Sequence, residues 1–127
     1  MNRFALVCLG GAAGTGLRYL TGMLAVHWLG ASFPYGTLAV NLSGAFLIGL
    51  LQQLASGLIP EGARLFLVVG LLGGMTTYSA FAYETVRLMT LAEWGKAWAN
   101  LTLTTGLSLG LCWLGMATGR IFTGPTS

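Results

Sequence analysis

Long hydrophobic stretches separated by short polar turns make up almost the whole chain. The stretches without an acidic or basic residue cover 19–60, 65–83 and 97–119. A helix needs roughly 20 apolar residues to cross the hydrocarbon core of a bilayer. Breaker residues mark turns at 30–34 and 60–64, and a charged turn lies at 93–96. The pattern predicts four membrane-spanning helices, at 4–29, 35–59, 65–91 and 97–122.

The composition supports a membrane protein built as one domain. Of the 127 residues, 55% are hydrophobic and 7% are charged, whereas soluble proteins carry about 25% charged residues. A soluble domain of this size cannot bury so much apolar surface. The first span resembles the start of a signal peptide, but the three spans that follow favour its retention. We therefore predict an all-α integral membrane protein with a single transmembrane domain over residues 1–127.

Small residues recur four apart within the spans, a spacing that lets helix backbones approach closely in lipid. The pairs are Gly10 and Gly14, Gly70 and Gly74, Gly106 and Gly110, and Gly115 and Gly119. They predict a compact helix bundle and indicate no particular chemistry. Cys8 and Cys112 lie in apolar stretches, where a thiol behaves as a small hydrophobic group.

The few charged residues bear on both partner and orientation. The net charge of +3 comes from scattered basic side chains, which argues against a nucleic-acid partner. If the spans alternate in direction, each side of the membrane receives three basic residues: Arg3, Arg64 and Arg120 on one side, and Arg18, Arg87 and Lys96 on the other. An excess of Lys and Arg normally sets orientation. The balance predicts dual topology, in which the chain inserts both ways and pairs as an antiparallel homodimer.

The third span carries the densest polar pattern of the chain. Gly73 and Gly74 stand beside Thr76 and Thr77, and this combination weakens a helix. We expect the third helix to be broken over 73–77. Non-helical backbone at membrane depth is tolerated only when it is buried in protein or lines a cavity, and its freed carbonyls can coordinate a cation.

Two aromatic side chains follow this predicted break. Tyr78 and Phe81 are three residues apart and project from one helix face. The edge of an aromatic ring is electropositive, so a ring presented edge-on attracts an anion, although ordinary packing is the more common role. One helical turn further on, Glu84 is spaced to form an ion pair with Arg87 at the rim of the span.

Other polar side chains lie at membrane depth in the remaining spans. Arg18 stands more than halfway along the first span, where it either snorkels to the head groups or draws anions into an aqueous vestibule. Asn41 has to satisfy its amide against another helix or along a pore. In the fourth span Asn100, Thr104 and Ser108 recur every four residues and form a polar stripe.

At these positions the sequence resembles the Fluc family of bacterial fluoride channels, also called CrcB-like proteins. The resemblance covers essentially the whole chain and rests on three ordered motifs: Gly10-Gly11…Gly14…Arg18-Tyr19, Gly36-Thr37-Leu38…Val40-Asn41…Gly44, and Gly73-Gly74-Met75-Thr76-Thr77-Tyr78-Ser79-Ala80-Phe81…Glu84. It implies an antiparallel dual-topology homodimer with two fluoride pathways and a central structural sodium ion. The sodium ion would be held by backbone carbonyls of Gly73 and Thr76 from both subunits.

The same resemblance implies an ion pathway along Asn41, Tyr78, Ser79, Phe81, Thr104 and Ser108. Asn41 would donate to fluoride, and Phe81 would present a ring edge to it. Arg18 would lie at the vestibule and Glu84 at the rim. The sequence departs from the family at Tyr78, where the family has phenylalanine, and in the fourth span, which lacks the usual tyrosine.

The implied function is passive fluoride export from the cytoplasm by a channel in the inner membrane of a bacterium, surrounded by lipid. Because fluoride is small and strongly hydrated, a pore has to replace its water with many weak donor sites. A small multidrug-type exporter is the chief alternative, but it needs a carboxylate near mid-span. A non-transporting assembly subunit is a second alternative. An enzyme is disfavoured, since no carboxylate pair or histidine dyad accompanies the serines and threonines.

Overall fold

The computed structural model describes residues 2–124, and helices account for nearly all of them. The elements, in chain order, are α1 (Arg3–Leu29), α2 (Tyr35–Leu54), α3 (Glu61–Arg64), a π-helical segment (Leu65–Leu72), α4 (Gly73–Met75), α5 (Tyr78–Thr90) and α6 (Trp94–Thr123). No strand occurs among the described residues, and the predicted all-α fold is confirmed. The predicted domain also includes Met1 and residues 125–127, which lie outside the described part of the chain.

Three helical stretches are long and apolar enough to cross a membrane. They are Tyr35–Leu54, Glu61–Thr90 and Trp94–Thr123, with mean hydropathies of 1.4, 1.7 and 1.3. α1 has sufficient length at 27 residues, but Arg18 and several glycines lower its hydropathy below that of the other three. The protein is therefore a multi-pass membrane protein, and the predicted span in α1 stays a prediction.

α2 ends earlier than the hydrophobic pattern predicts, at Leu54 instead of 59. Ser56 Oγ donates to the Gln53 carbonyl at 2.8 Å. Serine hydroxyls that bond nearby carbonyls favour turns over continued helix. The hydropathy pattern concealed this turn because Leu58 and Ile59 are apolar themselves.

Close backbone contacts hold the helix bundle together in two places. α1 lies along the π-helical segment, where a Cβ added at Gly14 would overlap the Leu71 carbonyl. α2 lies along α6, where a Cβ added at Gly115 would overlap the α2 backbone. Small residues permit this approach in lipid. At Gly106 and Gly110, in contrast, no described atom lies within 4 Å of an added Cβ, so this predicted pair takes no part in packing within the chain.

The apolar core lies between α2 and the third span, just before the helix breaks. Its buried members are Val40, Leu72 and Met75, and the side chains packed around them are Leu47, Leu51 and Leu71. Part of this core comes from the π-helical segment, a rare wide-turned helix that occurs often near functional sites. The core fixes the backbone that leads into the break relative to α2.

Candidate functional site

The third span is broken where the sequence predicts it. Thr76 (φ −85°, ψ 153°) and Thr77 (φ −152°, ψ 114°) are both extended, and the next helix begins at Tyr78. Thr77 also caps that helix, because its Oγ1 accepts from the backbone N–H of Ala80 at 3.1 Å. The break is therefore a short extended link between two helix ends.

The link changes the partners of two backbone amides. In an unbroken helix the N–H groups of Thr77 and Ala80 would donate to the carbonyls of Gly73 and Thr76. Here the Thr77 N–H donates to Asn41 Oδ1 at 2.8 Å, and the Ala80 N–H donates to the Thr77 hydroxyl. The Gly73 and Thr76 carbonyls thus lose their regular helical donors, and these are the two carbonyls predicted to hold a cation.

Asn41 joins α2 to the break with both ends of its amide. In addition to accepting from the Thr77 N–H, it donates from Nδ2 to the Thr77 carbonyl at 3.1 Å. Only this orientation of the amide makes both bonds, since a flipped amide would oppose donor to donor. Nδ2 has a second hydrogen, which is left available for another acceptor.

Arg18 reaches from α1 toward the same part of the third span. Its Nε donates to the Gly74 carbonyl at 3.2 Å, in a part-buried hydrogen bond. Arg18 also lines an open groove, together with Thr15, Tyr19 and His27. Arg18 is thus held by protein on one side and faces a groove on the other.

A second groove, of about 450 Å³, opens beside the break. Among the residues that line it are most of the predicted site residues: Asn41, Gly73, Thr76, Tyr78, Phe81, Thr104 and Ser108. We call this the break groove. The predicted pathway residue Ser79 does not line it, and its hydroxyl instead contacts the Thr77 hydroxyl at 3.2 Å. Side chains from α2, α5 and α6 therefore meet around the extended link.

The two aromatic residues after the break have different surroundings. Their ring centroids are 5.7 Å apart, with an angle of 58° between the ring planes. Phe81 is 6% exposed, whereas Tyr78 is 81% exposed. The Phe81 ring is consequently fixed by the chain itself, while the Tyr78 ring extends away from it at the edge of the break groove.

The predicted polar stripe on α6 divides into two parts. Thr104 and Ser108 line the break groove, but Asn100 is buried and does not. Asn100 donates from Nδ2 to the Thr85 hydroxyl at 2.9 Å. Sequence reasoning missed Thr85, although its position four residues after Phe81 was a signal, since a threonine hydroxyl can bond the carbonyl four residues earlier.

Glu84 has a different partner from the predicted one. The Thr37 hydroxyl donates to Glu84 Oε1 at 2.8 Å, while Glu84 Oε2 is buried without a partner among the described residues. The predicted pair with Arg87 is wrong: the ion pairs within residues 2–124 are Arg3–Glu61 and Glu93–Lys96. Glu84 points inward to α2, whereas Arg87 stays exposed.

Residues 5–116 match the family model described as "CrcB-like protein, Camphor Resistance (CrcB)". The chain belongs to the CrcB-like family. Two similar proteins, both named fluoride-specific ion channel FluC, illustrate the likeness. The protein from Thermus thermophilus is 47% identical over 125 residues, which cover 98% of the CrcB-like chain and 100% of the relative. The protein from Geobacter metallireducens is 44% identical over 122 residues, which cover 94% and 98%.

Membership of the CrcB-like family confirms the resemblance that the three motifs indicated. The relatives are named as ion channels, so the prediction that the CrcB-like chain is not an enzyme is confirmed as well. The predicted roles of individual residues, the sodium ion and the dimer stay predictions.

Proposed function

We propose that this CrcB-like chain forms a fluoride channel that exports fluoride passively from the bacterial cytoplasm across the inner membrane. The observation that carries the proposal is the break groove, which gathers an amide, two aromatic rings and several hydroxyl-bearing side chains beside irregular backbone at membrane depth. Irregular backbone at that depth has to be buried or to line a cavity. The name of the relatives, fluoride-specific ion channel, agrees with this proposal.

The groups in the break groove suit a small, strongly hydrated anion. The second Nδ2 hydrogen of Asn41 and the Ser108 hydroxyl supply donors, and the edge of the Phe81 ring supplies positive electrostatic potential. Each contact is weak, and a series of weak contacts lets an ion enter and leave. Arg18 attracts anions toward the mouth, and Glu84 lies at the rim with Thr37 as its partner.

A sodium ion fits the residues at the break. No cluster of three or more His, Cys, Asp or Glu side chains occurs within residues 2–124. The Gly73 and Thr76 carbonyls, whose regular donors are diverted, are oxygen ligands of the kind that unwound transmembrane helices offer to sodium. When bound, the ion supplies a positive charge that joins the two subunits. The dependence of fluoride flux on sodium concentration tests this site.

The antiparallel homodimer completes two pathways that one chain leaves open. Tyr78 is 81% exposed at the edge of the break groove, because no other part of its own chain covers the ring. A second copy of the chain would cover it. The even count of basic residues on the two sides gives insertion no preferred direction, provided that α1 spans the membrane. Reporters fused to the C-terminus should be found on both sides of the membrane. A single orientation for all molecules would contradict dual topology.

Purified protein in liposomes provides the direct test of fluoride passage. A fluoride electrode should record rapid efflux once an ionophore clamps the membrane potential, with no need for ATP or a proton gradient. Phe81→Ile should slow this efflux by roughly tenfold or more, because isoleucine fills space but lacks a ring edge. Phe122→Ile is the matched control, since Phe122 lies exposed near the end of α6 and should be replaceable without effect.

The outcomes separate the channel from its alternatives. Wild-type vesicles that retain fluoride would overturn the proposal, and uptake of a cationic dye driven by a proton gradient would indicate a drug carrier. Equal effects of Phe81→Ile and Phe122→Ile would remove Phe81 from the pathway.

A further inference from the structure

A chain of hydrogen bonds links α6 to the backbone at Phe81. Thr104 Oγ1 donates to Asn100 Oδ1 at 3.4 Å, Asn100 Nδ2 donates to Thr85 Oγ1 at 2.9 Å, and Thr85 Oγ1 donates to the Phe81 carbonyl at 2.7 Å. Asn100 is 1% exposed and Thr85 is 6% exposed. The two residues at the ends of this hydrogen-bond series, Thr104 and Phe81, line the break groove, whereas the two middle residues do not.

All three donations run in one direction, away from the groove wall at Thr104. A hydroxyl has a single hydrogen, so Thr104 cannot donate to an ion in the groove while Asn100 accepts that hydrogen. At 3.4 Å this bond is longer than the usual range of about 2.5–3.0 Å for a bond between oxygens. It is therefore the weakest of the three hydrogen bonds and the one released most easily.

We propose that Asn100 and Thr85 are positioning residues of the ion pathway, a role that rests on the proposed fluoride function. Thr85 fixes the backbone at Phe81 and with it the ring edge that faces the anion. Asn100 holds Thr85 in place and accepts the Thr104 hydrogen between ions. As fluoride passes, Thr104 exchanges its bond to Asn100 for one to the anion and then returns. No covalent bond changes in this exchange.

The burial of Asn100 supports this assignment over a direct contact with the ion. Asn100 belongs to the predicted polar stripe, but its side chain is enclosed between α5 and α6, and both ends of its amide have protein partners. A fully satisfied buried network fixes the geometry of the groups that it joins. Asn100 thus acts on the anion only through Thr104 and Phe81.

Thr85→Val tests the proposal, because valine keeps the shape of threonine and removes the hydroxyl. The measured quantities are the fluoride efflux rate from liposomes and the ratio of fluoride to chloride permeability. We expect efflux to be roughly tenfold slower, because the loss of one buried hydrogen-bond partner has an effect of this size. We also expect a lower ratio of fluoride to chloride permeability. Thr85→Ser restores the hydroxyl and should recover both quantities. Asn100→Leu, which removes the amide, should lower the ratio as Thr85→Val does.

Thr118→Val is the matched control, since Thr118 makes the same kind of bond, from Oγ1 to the Leu114 carbonyl at 2.8 Å, on the exposed side of α6. Thermal unfolding and gel filtration of each variant separate loss of fold from loss of flux. Wild-type efflux and selectivity in folded Thr85→Val, or a Thr85→Ser protein as impaired as Thr85→Val, would overturn the inference. Absence of fluoride efflux from the unaltered protein would instead overturn the proposed function.

Discussion

Replacement of Asn41 by leucine should slow fluoride efflux by roughly a hundredfold, equivalent to about 2.7 kcal/mol. The Asn41 amide makes two hydrogen bonds to the Thr77 backbone, at 2.8 and 3.1 Å. Leucine has nearly the same size but makes neither bond, so an N–H and a carbonyl are left unpaired at membrane depth, where each costs several kcal/mol. The extended link then moves to find other partners, and the pathway loses its amide donor.

Asn41→Asp distinguishes two roles of Asn41: donating a hydrogen bond to the anion, and holding the Thr77 backbone at the helix break. Aspartate still accepts from the Thr77 N–H, but it brings a negative charge into the groove and has no amide hydrogen to donate. We expect Asn41→Asp to fold and to pass little fluoride in the electrode assay. Gln52→Leu is the control, because Gln52 is an exposed amide on the same helix. Fluoride efflux at the wild-type rate in either Asn41 variant would contradict a pathway past this residue.

The helix break could be predicted from the sequence because its causes are local. Gly73 and Gly74 weaken the helix by backbone freedom, and the threonines that follow offer hydroxyls as alternative partners for the backbone. Thr77 does so in the structure, where its hydroxyl accepts from the Ala80 N–H. Hydropathy is local too, which is why the helices fall within five residues of the predicted span limits. The largest departures are the end of α2, five residues early, and the start of the third span, which is already helical at Glu61 within the predicted turn.

The partners of the polar side chains could not be predicted in the same way. The i,i+3 spacing favoured a pair of Glu84 with Arg87, yet Glu84 meets Thr37, 47 residues earlier in the chain. Helical spacing gives only the neighbours on one helix, whereas a side chain that faces inward takes its partner from the helix packed against it. The bond between Asn100 and Thr85 escaped prediction for the same reason.

Gly44→Ala is expected to disturb the proposed sodium site without altering any of its ligands. A Cβ added at Gly44 would overlap the Thr76 methyl group, Cγ2. Thr76 has little freedom to turn away, because its hydroxyl donates to the Leu72 carbonyl at 2.9 Å. Overpacking of this kind costs roughly 1–3 kcal/mol, and the strain acts on the backbone that carries the Thr76 carbonyl. We expect efflux to fall roughly tenfold at low sodium and to recover partly as sodium is raised.

A second substitution decides whether the methyl group is the cause. Thr76→Ser removes Cγ2 but keeps the hydroxyl and the carbonyl, so the double variant Gly44→Ala/Thr76→Ser should recover most of the efflux and the wild-type dependence on sodium. Gly95→Ala serves as the control, since no described atom lies within 4 Å of a Cβ added there. If the double variant remains as slow as Gly44→Ala, the overlap with Thr76 is not the reason for the loss. If no variant changes the sodium dependence, the Thr76 carbonyl does not hold the ion. Displacement of a carbonyl that binds a cation has to weaken the binding of that cation.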